Sequence, residues 1–278
     1  MKKKMLLALT GVAVIAAGCN TTATPKENTT EKSDLSLEEV FTKSVERQNE
    51  IQSFNATITM TQAMDIGDGS KADTTANLKM GAVKEPMQFF IDGTISMTEP
   101  TSGEKLDMPL KMYMTANDGL YAYDSTSETW LKLQQEASLE EMLNQAGVQA
   151  DASEQLKLLE KYATDFTFEQ TNNEYILTLN AGGDKFKQLI EEQLAMTMPE
   201  APVEQLENLS FEDTTYQLTI DKKTYDLKEM KLDMVISMEM EGITAKIDQK
   251  STTKYEDFNN TTITIPQEAL DNAQEINN

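Results

Sequence analysis

Alternation dominates this chain. Phe54, Ala56, Ile58, Met60 and Met64 alternate with Asn55, Thr57, Thr59 and Thr61, a period of two that sends one set of side chains to each face of a strand. The same pattern returns in Ala72 to Met80, in Met87, Phe89, Ile91, Ile95 and Met97, and in Met108, Leu110, Met112 and Met114. Asn117-Asp118-Gly119 turns the chain into Leu120 to Tyr123, and Trp130, Leu131 and Leu133 mark a short strand. Further along, Phe166 to Glu169 and Tyr175 to Asn180 form a hairpin about Asn172-Asn173. Tyr216, Leu218 and Ile220 precede Leu232, Met234, Ile236, Met238 and Met240, and Ile243, Ala245 and Ile247 open a last strand. Ten or eleven strands with one apolar face, joined by short turns, predict an antiparallel meander.

Four to five helices accompany it: one precedes it, two helical excursions interrupt it and a short one closes it. Ser36-Leu37-Glu38-Glu39 is a capping box, after which Leu37, Val40, Phe41, Val45 and Ile51 recur at helical spacing. A second box, Ser138 to Glu141, precedes Leu156, Leu159 and Tyr162, and Gly182-Gly183-Asp184 opens a run with Phe186, Leu189, Ile190 and Leu194. Pro199 and Pro202 break that last pattern, so the stretch from Ala195 to Leu209 is the expected mobile gate. A short helix is expected from Gln267 to Glu275.

The first eighteen residues belong to none of this. Lys2, Lys3 and Lys4 precede an apolar run from Met5 to Ala17 that is too short to span a bilayer as a helix, and the run ends in Ala16-Ala17-Gly18-Cys19. That ending resembles a bacterial lipobox, which implies cleavage before Cys19 and a diacylglycerol on its sulfur. Cys19 is the only cysteine in 278 residues, so the fold rests on its apolar core without disulfides. Cleavage after residue 18 leaves 21 basic and 47 acidic residues, a net charge of −26, which disfavours nucleic acid and anionic membrane surfaces as partners. Anchoring therefore falls to the acyl chains. The expected division is a signal peptide at 1–18, a lipidated flexible tether at 19–34, and one domain at 35–278.

An exported chain with an N-terminal helix, a long meander, helices inserted midway, the phrase Leu218-Thr219-Ile220-Asp221-Lys222-Lys223-Thr224-Tyr225 and a closing Thr264-Ile265-Pro266 resembles the LolA/LppX/LprG-like lipoproteins, among them uncharacterised Gram-positive lipoproteins with a domain of unknown function. The resemblance implies an α+β fold in which a large curved antiparallel sheet forms an unclosed half-barrel with helices on its concave face. It also implies an apolar cavity that carries lipid or acyl chains.

Methionine content points the same way. Many of the 17 Met fall on strand faces, and their flexible, polarizable side chains adapt to flexible apolar partners. Met60, Met80, Phe89, Ile91, Met112, Met114, Met234, Ile236 and Met238 are the candidate cavity lining. Packing between helices and sheet is the competing role for each of them. The chain has no histidine, and Arg47 is its only arginine. His-dependent triads and His-containing zinc sites are therefore excluded, and bidentate phosphate clamps are scarce. No phosphate-binding or nucleophile-elbow motif is present, no cofactor is implied, and an enzyme is not expected. Asp65, Asp68 and Asp73 about Gly67 and Gly69 lack EF-hand spacing and read as a hairpin turn. Tyr121, Tyr123 and Trp130 form an aromatic group best explained by sheet packing. Two functions remain open: a membrane-tethered lipid-binding module, or a cell-envelope interaction or stress-sensing protein with a fully packed core.

Overall fold

The computed structural model describes residues 22–67, 69–99, 102–133, 152–181, 187–190, 192, 209–240 and 243–276. The expected signal peptide, Cys19, the second capping box and all of the gate expected from Ala195 to Leu209 except Leu209 lie outside them. Thirteen strands among the described residues form one sheet. They are β1 (Thr24–Pro25), β2 (Ser53–Asp65), β3 (Lys71–Val83), β4 (Gln88–Thr98), β5 (Lys105–Thr115), β6 (Gly119–Asp124), β7 (Thr129–Leu133), β8 (Phe166–Gln170), β9 (Glu174–Ala181), β10 (Leu209–Asp221), β11 (Leu227–Met240), β12 (Ile243–Glu256) and β13 (Gln274–Ile276). Their spatial order is β1-β8-β9-β10-β11-β12-β2-β3-β4-β5-β6-β7-β13. The sheet is an unclosed α+β half-barrel, and all pairings are antiparallel except β1 with β8 and β13 with β7. Those two edge strands are the excess over the eleven expected, since two or three residues are too few for a period to register.

The order has three long crossings, β1 to β2, β7 to β8 and β12 to β13. β7 and β8 follow one another in the chain but stand near opposite edges, whereas β12 closes beside β2 in the middle, from Lys246 opposite Asp65 to Glu256 opposite Asn55. Helix α1 (Leu37–Glu50) begins at Ser36 with both halves of the capping box made: the Glu39 amide donates to Ser36 Oγ at 3.2 Å, and the Ser36 amide donates to Glu39 Oε2 at 2.7 Å. Helix α2 (Ala152–Glu160) and a helical segment at 187–190 lie on the same side of the sheet as α1. Leu37, Val40, Phe41, Leu156, Leu159 and Leu189 pack with Leu177, Leu218, Ile220 and Phe166 in one core. Phe41 meets Phe166 edge to face at 5.7 Å. Helix α3 (Gln267–Asn272) is shorter than expected. Ala273 leaves the helix for extended backbone, and the next three residues pair with β7 instead.

The segment expected as a flexible tether is held down from Thr22 onward. Gln170, 1% exposed, donates from Nε2 to the carbonyls of Ala23 (2.8 Å) and Ser33 (3.1 Å), and its Oε1 accepts from the Ser33 amide (2.8 Å) and Lys222 Nζ (2.9 Å). Lys222 Nζ also donates to the Glu31 and Thr171 carbonyls, while Asn172 Oδ1 accepts from the amides of Thr30 and Glu31. A polar, Pro-containing sequence has little beyond Ala23 to bury, but its backbone can still be pinned by a buried amide that satisfies every one of its own bonding positions.

Candidate functional site

Register assigns every side chain of the long strands to a face. One row runs Phe168, Leu177, Leu218, Met230, Thr253, Ile58, Leu78, Gly93 and Leu110, and the next runs Phe166, Leu179, Tyr216, Leu232, Ser251, Met60, Ala76, Ile95 and Met108. Facing residues share a side of the sheet, so these rows define the inner face on which the helices sit. From β8 across to β5 that face carries no Lys, Arg, Asp or Glu. The outer face holds the charges, among them Lys79, Asp92, Lys111, Lys231, Asp248 and Lys254. An acidic chain has thus kept one whole surface neutral.

All nine candidate lining residues fall on this inner face. Met80, Phe89, Ile91 and Met114 are buried in a second core with Ala56 and Leu120, whereas Met60, Met112, Met234, Ile236 and Met238 are half-buried. A cleft of about 100 Å³ opens between the helices and the sheet, lined by Gln155, Leu158, Leu159, Leu189, Ile190, Tyr216, Met230, Lys231, Leu232, Ser251 and Thr253. None of the nine lines it. Periodicity placed the apolar face correctly but could not reveal which part the helices cover. Of the lining residues that the sequence missed, Ser251 and Thr253 belong to β12, whose inner side from Gln249 to Thr253 is polar and so carries no alternating apolar signal.

Apart from Lys231, whose Nζ pairs with Glu229 at 2.7 Å, the cleft's polar groups are neutral. Gln155 Nε2 donates to Tyr216 Oη at 2.7 Å, and Tyr216 Oη in turn points at Met230 Sδ at 3.5 Å. Burial pushes Tyr255, beside Met230, up to about 12 and raises Tyr216 as well, so both phenols stay protonated. The surface can bind methylenes by dispersion and offers hydroxyl and amide groups to an uncharged polar atom. Lys231, the cation among the lining residues, is already paired with Glu229.

The remaining candidate features are structural. Trp130 is buried against α3, with Nε1 donating to Glu268 Oε1 at 3.0 Å, and Tyr123 meets it edge to face. The β2–β3 hairpin turns through Gly67 at φ +83° and Gly69 at φ +97°; the Asp65 carboxylate accepts from the Gly67 amide and pairs with Lys71. Asp68 lies outside the described residues.

Fold and face together define a half-barrel protein with an uncharged inner surface. The chain belongs to the Family of unknown function (DUF6612), whose model matches residues 36–274. Among solved structures it is similar to lipovitellin, described under lipid–protein interactions (TM-score 0.35, 9% identity, 79% of this chain and 26% of that one). It is also similar to the LolA superfamily protein NE2245 from Nitrosomonas europaea (TM-score 0.25, 10% identity, 83% and 95%). A beta-barrel-like protein of domain of unknown function DUF1849 from Brucella abortus follows (TM-score 0.20, 6% identity, 74% and 99%). The chain spans about a quarter of the lipovitellin chain's length. No curated protein matches it in sequence.

Proposed function

We propose that this protein is a non-enzymatic lipoprotein, held on the extracytoplasmic face of the cell membrane by a diacylglycerol on Cys19, and that it binds a lipid or other apolar ligand against the inner face of its half-barrel. The observation that carries the reading is the neutrality of that face over nine adjoining strands, combined with its incomplete covering: Met60, Met112, Met234, Ile236 and Met238 stay half-buried. A surface needed only for packing has no reason to remain partly open and rich in flexible side chains. The same neutrality selects the ligand. Acyl chains and uncharged head groups fit, while a carboxylate or phosphate must remain outside, because an unpaired charge on this face costs several kcal/mol.

The cleft of about 100 Å³ is smaller than the roughly 300–1,000 Å³ typical of small-molecule sites. Binding a whole lipid therefore requires the helix layer to shift or the chains to lie along the half-exposed methionines. A second reading, an envelope interaction protein with a packed interior, is favoured by the burial of Met80, Phe89, Ile91 and Met114 at 2–6% exposure. Native mass spectrometry of the domain from Thr22 onward, with solvent extraction of what copurifies, separates the two. A neutral acyl lipid at near-unit stoichiometry supports the carrier. A ligand-free mass together with no uptake of a neutral fluorescent acyl probe supports the packed interaction protein.

A further inference from the structure

The opening of the inner face has an exposed apolar rim. Met97 and Leu106 face each other across β4 and β5, 42% and 60% exposed, and Ile243 at the start of β12 is 44% exposed. They stand at the end of the sheet reached by the β2–β3, β4–β5 and β11–β12 turns, where the inner face continues through half-buried Met64, Met108 and Met238. Flanking charges are in part paired, Lys71 with Asp65 and Lys105 with Asp107, both at 3.5 Å. Met87 and Ile276 are also exposed, but at the opposite end of the sheet, and they belong to a turn and to the short edge strand.

The N-terminal strap points to the same end. β1 runs parallel to β8, with Thr24 opposite Glu169 and Pro25 opposite Gln170. β8 begins at the rim end, since Phe166 pairs with Leu179 and β9 ends at Ala181 beside Thr214. The chain before Thr24 therefore leads back toward the rim. Only three peptide steps separate Thr22, which is bridged to Ser36, from Cys19, a reach of about 10 Å at full extension.

We propose that the rim formed by Met97, Leu106 and Ile243 rests on the lipid bilayer, held there by the short strap, so that an apolar ligand passes between membrane and inner face without crossing water. This rests on the lipid anchor of the proposed function. The partner is the neutral acyl region of the bilayer, because the chain's net charge opposes an anionic surface.

The test uses the full lipidated chain, purified from bacterial membranes and reconstituted into vesicles of phosphatidylcholine brominated on its acyl chains. Leu106→Trp probes the rim and Met87→Trp the opposite end. Buried Trp130, measured in the unaltered protein, supplies the background. The expected result is at least two-fold quenching of the added tryptophan in Leu106→Trp and essentially none in Met87→Trp. Equal quenching, quenching of Met87→Trp alone, or none in either probe on vesicle-bound protein overturns the orientation while leaving the anchor and ligand readings intact. Failure of the unaltered protein to float with the vesicles overturns the anchor and this inference together. Lipid copurifying with the unanchored domain is an independent readout, so failure of the ligand reading is seen separately.

Discussion

The two halves of the sheet use the same alternating pattern to different ends. Across β8 to β11 the inner face lies under α1 and α2, and Leu177, Leu218 and Ile220 are fully buried. Across β12 and β2 to β5, toward the rim, the inner residues are half-buried Met60, Ile95 and Met108 and finally exposed Leu106. Aliphatic and aromatic side chains dominate where helices press on the sheet; methionine and neutral polar residues dominate where they do not. Stability and ligand contact have been given to different stretches of one sheet, since Met234, Ile236 and Met238 at the rim end of β11 stay half-buried while Met80, Phe89, Ile91 and Met114 at the other end of β3 to β5 are buried, so substitutions in one stretch should spare the property that belongs to the other.

The largest expected effect is on folding. Leu218→Ala empties a site in the covered core and should cost about 2–5 kcal/mol, whereas Met60→Ala in the open half should cost under about 1 kcal/mol. Urea denaturation of both variants checks this, and equal losses would show that the open half is packed as tightly as the covered one. Met234→Asp reverses the emphasis. A charge on the neutral face should weaken uptake of a neutral fluorescent acyl probe at least about ten-fold, by the cost of desolvating it against the ligand. Its melting temperature should fall less than that of Leu218→Ala. Probe binding unchanged in Met234→Asp would remove β11 from the ligand surface.

Next in size is the strap. Gln170→Ala leaves the Ala23 and Ser33 carbonyls without their side-chain donor and frees Lys222 from one of its three acceptors, a loss of about 1–3 kcal/mol. The released segment should become protease-sensitive near Lys26 and Lys32 while the domain stays folded. In the vesicle experiment the longer leash should reduce quenching of Leu106→Trp. A variant cleaved no faster than the unaltered chain would mean that the strap is held by its backbone pairing alone.

How much of this could be read in the sequence depends on which signal each element carries. Strands β2 to β5 and β11 declare themselves because one face is apolar over many residues, and α1 declares itself through Ser36 and Glu39. β12 is followed only as far as Ile247, since Gln249, Ser251 and Thr253 alternate with Lys250, Thr252 and Lys254, and polarity on both faces hides the period. Nothing local announces that β12 closes beside β2, because strand order is decided by which faces the helices must cover. The strap was invisible for another reason: Gln170 and Lys222, distant in sequence, supply the bonds that hold it. The neutral inner face was implicit in the residues, yet it becomes a site only when register lines up nine strands.

The smallest effect concerns the helix that covers the closed half. Hydrogen bonds to the Glu39 carboxylate from the Ser36 backbone and then its hydroxyl hold Glu39 below its ordinary value of 4.5. A depressed carboxyl stabilises the folded state above its unfolded value and loses that contribution as pH falls through the folded one. The unaltered protein should therefore be more stable than Glu39→Gln at pH 7, and the gap should shrink as the buffer approaches about pH 3. Ser36→Ala, which removes the hydroxyl cap as well, should lose about 1 kcal/mol at pH 7. Neither substitution should alter acyl-probe uptake at neutral pH if α1 serves only the covered half. A change in uptake with the fold intact would show that α1 controls access to the open half, and the division between the two would fail.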